Sequence, residues 1–413
     1  MDKRMSIQDA LDLIPDGAGV AVSGFMLMAT PRELYLEIAK RYQETGHPCN
    51  LTIMHAAGNG NNKDQGIYDM TYEGLITRYI TGHFANNSRM MDLTNENKVA
   101  AYNFPQGVIA HMFRAAAAGK PGEITRIGLN TFCDPRLQGG RLNDAASENL
   151  VELVDILGEE FLLYKVPKLD IGLIRGTTAD EHGNITMEEE GAPVDALDVA
   201  MAVKAMGGKV IVQVKNYVSG ASIDRSSVVI PGNLVDAVVV SENPLENHRQ
   251  TPGSYYNPVL SGHYKLDGVN FASIPFDERK VIARRAAMEL LPNSVVNLGI
   301  GIPEGVAAVA TEEGVGDQLT LTIESGLVGG VPTGGQDFGC AVNAWAALPM
   351  TSQFDYYNGG NLELTCLGFA EVDGAGNVNV SRFGKKIAGC GGLVDISQST
   401  QTVLFLSLIH ISE

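Results

Sequence analysis

One carboxylate at the end of a buried strand, that of Glu324, gives the clearest chemical signal in this sequence. Residues 319–323 read L-T-L-T-I, a short apolar strand of the buried type, and the segment E-S-G follows directly. A carboxylate in that place is costly unless it is solvated, paired or functional. Polar groups at the carboxyl ends of strands in α/β sheets are candidate sites. The structural alternative is a glutamate that reaches water at the sheet edge or caps a helix.

Three glycine-rich segments could bring backbone amides close to a ligand. Residues 296–305 read V-N-L-G-I-G-I-P-E-G, which is typical of a strand, a glycine turn and an anion-binding helix N-terminus. Residues 326–339 contain six glycines and offer a floor without side chains beside Glu324. Residues 387–395 read I-A-G-C-G-G-L-V-D, and their amides could donate to an oxyanion. Each segment could equally be a plain tight turn or a surface loop.

Gln106 in the segment F-P-Q-G is a neutral amide that could hold a carbonyl oxygen, although a loop residue facing solvent is the simpler interpretation. The histidines do not cluster with Cys, Asp or Glu at ligand spacing, so we predict no metal site. The five cysteines are scattered, and neither a G-x-S-x-G elbow nor a phosphate-loop lysine motif occurs. Glu324 therefore remains the plausible nucleophile.

The elements that must position these residues occur twice along the chain. Residues 51–58 (L-T-I-M-H-A-A-G) match residues 319–326 (L-T-L-T-I-E-S-G), and the segment D-E-H-G-N-I-T-M from Asp180 matches D-G-A-G-N-V-N-V from Asp373. A helix, a strand and a further helix precede the first pair in both copies. Matched blocks in the same order indicate an internal duplication. Glu324 falls opposite an alanine, so the scaffold forms without the carboxylate, which favours a functional role for it.

This duplication predicts an α/β fold of two tandem related domains, each with a mainly parallel sheet flanked by helices. We place the first domain at residues 1–262, with an insertion at about 59–140 that the second copy lacks. A linker at residues 263–276 then leads to the second domain at residues 277–413, which carries Glu324.

The two copies end differently. The predicted strand at 209–214 is followed by a long further segment, whereas its counterpart at 402–406 is followed only by a short apolar tail without a cap. We therefore expect the second domain to be incomplete, and the residues after about 405 to be foreign or out of frame.

The composition bounds the class of protein. A chain of 413 residues with 45% hydrophobic and 19% charged residues is typical of a globular protein with two domains. The formal net charge of -18, without a basic run, argues against nucleic-acid binding. The start lacks the apolar run of a signal peptide, and no segment has the length of a membrane span. We expect a cytoplasmic protein that binds neither nucleic acid nor membrane.

In combination, the motifs resemble those of the family I coenzyme A transferases, and the single-chain arrangement is similar to the acetate/propionate and 3-ketoacid types. The segments that carry the resemblance are E-S-G-L-V-G-G-V-P at 324–332, G-I-G-I-P at 299–303, T-G-H-F at 81–84, F-P-Q-G at 104–107 and G-C-G-G-L-V-D at 389–395. One departure is the segment after Phe25, where Met-Leu-Met stands in place of the family's glycine-rich loop.

The resemblance implies transfer of CoA from a short-chain acyl-CoA to a carboxylic acid such as acetate or acetoacetate, by ping-pong chemistry through a glutamyl-CoA thioester on Glu324. It assigns oxyanion stabilisation to Gln106 and to an amide of Gly391 or Gly392. It assigns CoA binding to Gly299, Ile300, Gly301, Ile302, Pro303, Gly329 and Gly330. The implied partners are acyl-CoA, small carboxylic acids and further copies of the chain in a homo-oligomer, and CoA as substrate leaves no cofactor or metal to be expected.

Other functions stay open. An NAD(P)-dependent dehydrogenase would use residues 299–305 as its phosphate turn and Glu324 for the ribose. The glycine pattern of that motif misses by one residue, because Glu304 stands where the third glycine is required. A non-catalytic acyl-CoA-binding protein would bind ligand without a covalent adduct, although the retained Glu324 argues against it. The chain could also be an inactive fragment.

Overall fold

The computed structural model describes residues 2–219, 222–269 and 273–408, and its first large sheet has seven strands, all parallel. Short runs rich in Val, Ile and Ala form these strands, because helices cover both faces of the sheet and bury every side chain of the central ones. The order across the sheet is β14 (Ala237–Val240), β11 (Lys209–Val214), β8 (Ile171–Arg175), β1 (Gly19–Val22), β2 (Leu51–His55), β3 (Ile76–Thr81) and β4 (Ala100–Asn103).

A second sheet of six strands repeats this order. It runs β20 (Ala346–Ala347), β17 (Leu327–Val328), β16 (Thr320–Thr322), β15 (Val295–Leu298), β21 (Leu364–Gly368) and β26 (Thr402–Leu406). The series β26-β21-β15-β16 is parallel and corresponds to β11-β8-β1-β2 of the first sheet. Strand β17 is antiparallel to both of its neighbours. Within the described residues, β14 has no counterpart in the second sheet.

The remaining described elements are short strands and the helices that flank the two large sheets. The strands are β5 (Gly122–Thr125), β6 (Val151–Ile156), β7 (Glu159–Lys165), β9 (Thr178–Asp180), β10 (Ile185–Thr186), β12 (Asn216–Val218), β13 (Val228–Ile230), β18 (Val331–Pro332), β19 (Ala341–Val342), β22 (Glu371–Val372), β23 (Val378–Asn379), β24 (Arg382–Phe383) and β25 (Lys386–Ile387). The helices are α1 (Ile7–Leu11), α2 (Arg32–Thr45), α3 (Ser88–Asn95), α4 (Gln106–Ala117), α5 (Ala196–Ala205), α6 (Pro244–Asn247), α7 (Glu278–Ala287), α8 (Glu304–Glu312), α9 (Met350–Asn358) and α10 (Leu393–Ser399).

The predicted fold class, α/β with mainly parallel sheets flanked by helices, is confirmed. Between α6 and α7 the described residues form no helix or strand, as expected of a connection. Residues 270–272 of the predicted linker at 263–276, and residues 409–413 of the apolar tail, lie outside the described residues. The domain bounds at 262 and 277, and the incompleteness of the second domain, stay predictions.

The segment assigned to the first copy alone has a short counterpart in the second. Strands β17 and β20 follow β16 on one side of the second sheet, in the positions that β3 and β4 hold beside β2. Helix α9 then precedes β21, as α4 precedes β8, and a proline caps the N-terminus of each helix. Sequence comparison misses this match because the second copy is much shorter here and its strands contain only two residues each.

The Gly-Asn segments form the predicted hairpins, β9–β10 and β22–β23. Oδ1 of Asp180 accepts hydrogen bonds from the backbone N–H groups two and four residues further on, at 3.0 and 2.9 Å, and Oδ2 accepts from the Asn184 amide at 2.8 Å. Asp373 makes the same three bonds, with the Asn377 amide as the third partner, at 2.9, 2.8 and 2.7 Å. The duplication therefore preserves a complete aspartate turn.

Helix α4 meets the second half of the chain at a contact that we call the first joint, residues 105–107 against residues 391–395. The Gln106 N–H donates to the Gly391 carbonyl oxygen at 2.9 Å. The Gly107 N–H donates to Oδ2 of Asp395 at 3.0 Å, which satisfies one of the unpaired donors in the first turn of the helix.

The same arrangement occurs at a second joint, residues 349–351 against residues 194–198. The Met350 N–H donates to the Val194 carbonyl oxygen at 2.8 Å, and the Thr351 hydroxyl donates to Oδ2 of Asp198 at 2.6 Å. Val194 and Gly391 occupy matching places with φ of 47° and 53°. The two halves are therefore related by approximate two-fold symmetry.

The two hairpins allow a matched test of the aspartate turn. Asp180 is buried whereas Asp373 is exposed. We expect Asp180→Ala to lower the free energy of unfolding by about 2 kcal/mol, because it removes a buried acceptor and leaves three part-buried donors without it. Asp373→Ala should lower stability less, because water replaces the lost acceptor. Thermal unfolding of both variants beside the wild type measures the difference, and equal losses would contradict it.

Candidate active site

Glu324 stands two residues after the end of β16, at the carboxyl edge of the second sheet. There it lines a cavity of about 410 Å³. That volume lies in the range of small-molecule sites. The predicted CoA-binding residues Gly299, Ile300, Gly301 and Ile302 line the same cavity. The structure thus brings together two segments that the sequence separates by more than twenty residues.

The glycine turn after β15 is shaped by its backbone. Gly301 has a φ of 85°, which a residue with a Cβ atom adopts only with strain. Helix α8 starts three residues later, after Pro303 as its N-cap, and Pro303 itself is not part of the cavity lining. Ile300 is 60% exposed and gives the cavity wall an apolar side chain. Arg279 adds a cation to the wall of the cavity.

Gly329 and Gly330, which were assigned to CoA binding, do not line this cavity. They form the turn between β17 and β18 with φ of 73° and 74°. A methyl group on Gly329 would lie 2.2 Å from the Trp345 ring, and one on Gly330 would lie 2.4 Å from the Val342 carbonyl oxygen. The need for glycine at both positions therefore has a structural reason, the close packing of this turn.

Gly392 lies directly against the Glu324 carboxyl group. A methyl group on Gly392 would stand 2.7 Å from Oε2 and 2.8 Å from Cδ of Glu324. Gly392 is the N-cap residue of α10, with a φ of -84° that any residue tolerates. A side chain at this position would force the Glu324 carboxyl group to shift.

Gln106 is 3% exposed, in contrast to the loop residue facing solvent that was the simpler interpretation. It begins α4, and a methyl group on the neighbouring Gly82 would lie 3.2 Å from its Cα and Cβ atoms. Its side-chain Nε2 contacts Sδ of Met350 at 3.8 Å, and a thioether is a weak acceptor. The Gln106 amide is therefore a buried donor without a strong acceptor.

The two candidate amides in the third glycine segment differ. The Gly391 N–H donates to the Gly82 carbonyl oxygen at 2.7 Å and so is already engaged. Among the described residues, the Gly392 N–H has no acceptor. Of these two glycines, only Gly392 has an N–H without an acceptor in the part of the chain that the structure describes.

The T-G-H-F segment anchors this glycine turn. The Phe84 N–H donates to the Ala388 carbonyl oxygen at 2.8 Å. The Asn103 side chain links both sides, since its Oδ1 accepts from the Cys390 N–H at 3.0 Å while its Nδ2 donates to the Gly82 carbonyl oxygen at 2.8 Å. Residues from the first half therefore hold the wall that faces Glu324.

Burial raises the pKa of Glu324 to about 7, and the nearby charge of Asp395 acts in the same direction. Burial also raises the pKa of Asp395 to about 7, although the Gly107 N–H and the charge of His111 oppose this. Among the described residues, no basic side chain forms an ion pair with Glu324. The site thus holds a carboxylate whose charged form is disfavoured.

Sequence reasoning did not single out several residues beside Glu324. Asp395 stands in the G-C-G-G-L-V-D motif and was interpreted only as part of a turn, although a buried aspartate next to glycines is a signal. Asn297, whose Nδ2 contacts the Tyr357 hydroxyl at 3.4 Å, lines the cavity. His83 next to Gly391 is neutral, because burial lowers its pKa to about 4.

Potential metal ligands meet at one place among the described residues, away from this cavity. Ligand atoms of Asp16, His47 and Cys49 lie within 4.8 Å of one another. Asp16 accepts hydrogen bonds from the Cys49 N–H at 2.9 Å and contacts Nδ1 of His47 at 2.7 Å, which accounts for the cluster as a turn. The absence of a metal stays a prediction. No helix in the described ranges combines the length and apolar character needed to cross a bilayer.

Comparison with known proteins gives a consistent result. The sequence profile described as coenzyme A transferase matches residues 4–241. The caffeate CoA-transferase of Acetobacterium woodii is 44% identical over 410 residues, which is 98% of this chain and 78% of that protein. The acetate CoA-transferase YdiF of Escherichia coli K12 is 43% identical over 404 residues, which is 97% of this chain and 75% of that protein.

Solved structures agree with these relatives. The apoenzyme of the acyl-CoA transferase YdiF from E. coli O157:H7 has a TM-score of 0.91 and 42% identity, covering 98% of this chain and 76% of that one. A thioester complex of the same enzyme with CoA has a TM-score of 0.90 and 41% identity, with the same coverage.

Fold, site and relatives together define an enzyme of the CoA-transferase class. The chain belongs to the coenzyme A transferase family. The dehydrogenase alternative is set aside, because relatives that match nearly the whole chain at more than 40% identity are CoA-transferases.

Gly392→Ala tests the contact with Glu324 without disturbing the fold, since alanine tolerates this backbone conformation. We expect transferase activity to fall about 100-fold, because a displacement of a catalytic group by about 1 Å has that effect. Gly374→Ala is the control, since its Cβ would meet nothing within 4 Å. Steady-state rates and thermal midpoints of both variants provide the measurement. Full activity of Gly392→Ala would show that the close approach of this residue to Glu324 has no role in the reaction.

Proposed function

We propose that this enzyme transfers CoA between a short-chain acyl-CoA and a carboxylic acid through a thioester on Glu324. The single observation that carries the proposal is a partly buried carboxylate, without a cationic partner among the described residues, on the wall of the cavity formed by the glycine turn at 299–301. Desolvation makes a carboxylate a stronger nucleophile, because water no longer stabilises its charge. The thioester complex solved for YdiF is consistent with this chemistry.

The proposed reaction needs no external acid or base. The Glu324 carboxylate attacks the thioester carbonyl, and CoA thiolate leaves to give a mixed anhydride. The thiolate then attacks the glutamyl carbonyl, which releases the first acid as its carboxylate and leaves a glutamyl-CoA thioester. An acceptor carboxylate attacks this thioester, and the thiolate returns to the new acyl carbonyl. Each step exchanges one anion for another, which gives ping-pong kinetics.

Oxyanion stabilisation in the tetrahedral intermediates falls to Gln106 and the Gly392 amide in this proposal. The support is that both donors are buried at the first joint and neither has a strong acceptor among the described residues. A preorganised donor in a site without water contributes more than the same donor in solution. Gly391 is not assigned this role, because its N–H is engaged by Gly82.

Coenzyme A itself is assigned to the cavity along Gly299, Ile300, Gly301 and Ile302. The cavity wall is mainly apolar, which suits the pantetheine arm, and Arg279 provides one cation for a phosphate. The relatives include a caffeate and an acetate CoA-transferase, so the acid accepted by this chain is a separate question. Acetate and acetoacetate are the acceptors that we propose to test first.

Intact mass spectrometry after incubation with acetyl-CoA tests the covalent step. We expect a CoA-sized adduct on the wild type and none on Glu324→Gln, because the amide cannot act as the nucleophile. Glu304→Gln is the matched control, since Glu304 is another carboxylate on the same cavity wall. An adduct that survives in Glu324→Gln would disprove the assignment. Complete absence of adduct on folded wild type would favour a binding protein or an inactive chain.

The pH dependence of the reaction rate follows from the ionisation state that Glu324 needs for the proposed attack. Only the ionised carboxylate attacks, and its pKa is raised from 4.5 to about 7. We therefore expect kcat/KM for the acyl-CoA to rise as the pH increases through about 7, and to fall about tenfold per pH unit below it. Rate assays from about pH 5 to about pH 9 provide the profile. An acid limb near 4.5, the ordinary value of a glutamate, would contradict the proposed environment.

A further inference from the structure

The two joints hold corresponding aspartates in unlike surroundings. Asp395 and Asp198 each stand three residues after the N-cap of their helix, α10 and α5. Asp198 accepts from the Thr351 hydroxyl at 2.6 Å and lies 3.6 Å from Nε of Arg114, so its charge has a donor and a cation. Oδ2 of Asp395 accepts a hydrogen bond from the Gly107 N–H at 3.0 Å. Its other oxygen, Oδ1, is buried without a hydrogen-bond partner among the described residues.

At the second joint, the Thr351 hydroxyl donates to Asp198. The packing around Asp395 leaves no room for a corresponding hydroxyl group at position 107. A methyl group on Gly107 would lie 2.5 Å from Oδ1 of Asp395 and 2.4 Å from Cδ1 of Phe354. A threonine or serine at position 107 would therefore collide with the Phe354 ring. The unpaired oxygen of Asp395 follows from the packing of this joint.

The titratable groups around Asp395 offset its charge only in part. The charge of His111 on α4 acts on Asp395, but Nε2 of His111 lies 2.9 Å from Oδ1 of Asp355, which is its direct partner. Burial raises the pKa of the Cys133 and Cys390 thiols and of the Tyr164 hydroxyl, which keeps all three neutral. The remaining group is Glu324, whose carboxylate lies against the first turn of the same helix at Gly392.

We propose that Asp395 is a positioning residue whose negative charge favours the covalent, uncharged form of Glu324 over the free carboxylate. This inference rests on the proposed function. When the glutamyl carbonyl is bonded to the CoA sulfur, Glu324 carries no charge and its repulsion with Asp395 disappears. The negative charge leaves the buried pair with the released carboxylate, so atoms and charge balance. Asp395 thereby shifts the equilibrium toward the thioester and keeps the free carboxylate reactive.

The experiment measures the acetyl-CoA to acetate ratio at which half of the enzyme carries the thioester, by intact mass at a pH of about 8. For Asp395→Asn we expect this ratio to rise roughly tenfold, which corresponds to about 1.4 kcal/mol of lost repulsion between two neighbouring charges. The acid limb of kcat/KM should also move to lower pH, because Glu324 loses a neighbouring negative charge. Both readouts respond to charge and not to a general loss of structure.

Asp198→Asn is the matched control, because it alters the corresponding aspartate at the joint that lacks a glutamate. It should leave the half-conversion ratio and the acid limb unchanged. Asp395→Ser serves as a second neutral variant, since its hydroxyl can still accept from the Gly107 N–H, in case the asparagine variant does not fold. A lower rate at every pH with an unmoved limb and an unchanged ratio would overturn the inference.

The same series separates this inference from the proposed function. If the wild type forms an adduct that Glu324→Gln lacks, the function holds, and an unchanged ratio in both Asp395 variants then removes only the role of Asp395. If the folded wild type forms no adduct, the proposed function fails, and the inference fails with it.

Discussion

The structure around Glu324 depends on one contact, the seating of the first turn of α4 on the glycine turn before α10. The backbone bond from Gln106 to Gly391 and the Asp395 cap on Gly107 fix this turn against a helix from the other half of the chain. Because the donors are buried, an alternative arrangement would leave polar groups unpaired at a cost of about 1–3 kcal/mol each. The contact therefore fixes the turn whose Gly392 lies against the Glu324 carboxyl group.

The duplication explains both the strength of this contact and its asymmetry. Two equivalent joints make a larger core than either half could form, and buried apolar residues from both halves share a single cluster. The two joints differ in their side chains. Where the first joint has Gly392 beside Glu324, the second has the buried side chain of Asp195 at the matching N-cap, and an alanine stands opposite Glu324. The second copy carries Glu324, the proposed nucleophile, and the first copy carries Gln106.

Burial at this boundary also sets the chemistry available to the carboxylate. A glutamate in water is a weak nucleophile because solvent stabilises its charge. Here desolvation and a second carboxylate act in the same direction, and the described residues provide no compensating cation. The fold maintains this unfavourable charge because the surrounding hydrogen bonds and packing over-determine the position of the residue. In the proposed reaction, this unfavourable energy is released when the carboxylate becomes a neutral thioester or anhydride.

The sequence by itself determined the elements, the duplication, the α/β class and the candidate nucleophile, because local periodicity and repeated motifs record these directly. The strands at 209–214 and 402–406 have the predicted bounds. The sequence did not reveal that α9 is the counterpart of α4, since the two segments share only a proline. It also did not reveal that Gly329 and Gly330 lie in a closely packed turn. Only the tertiary structure decided that the Gly391 amide is engaged, that Gln106 is buried and that the Gly107 N–H donates to Asp395. These properties arise from contacts between residues more than 200 positions apart, which no local pattern encodes.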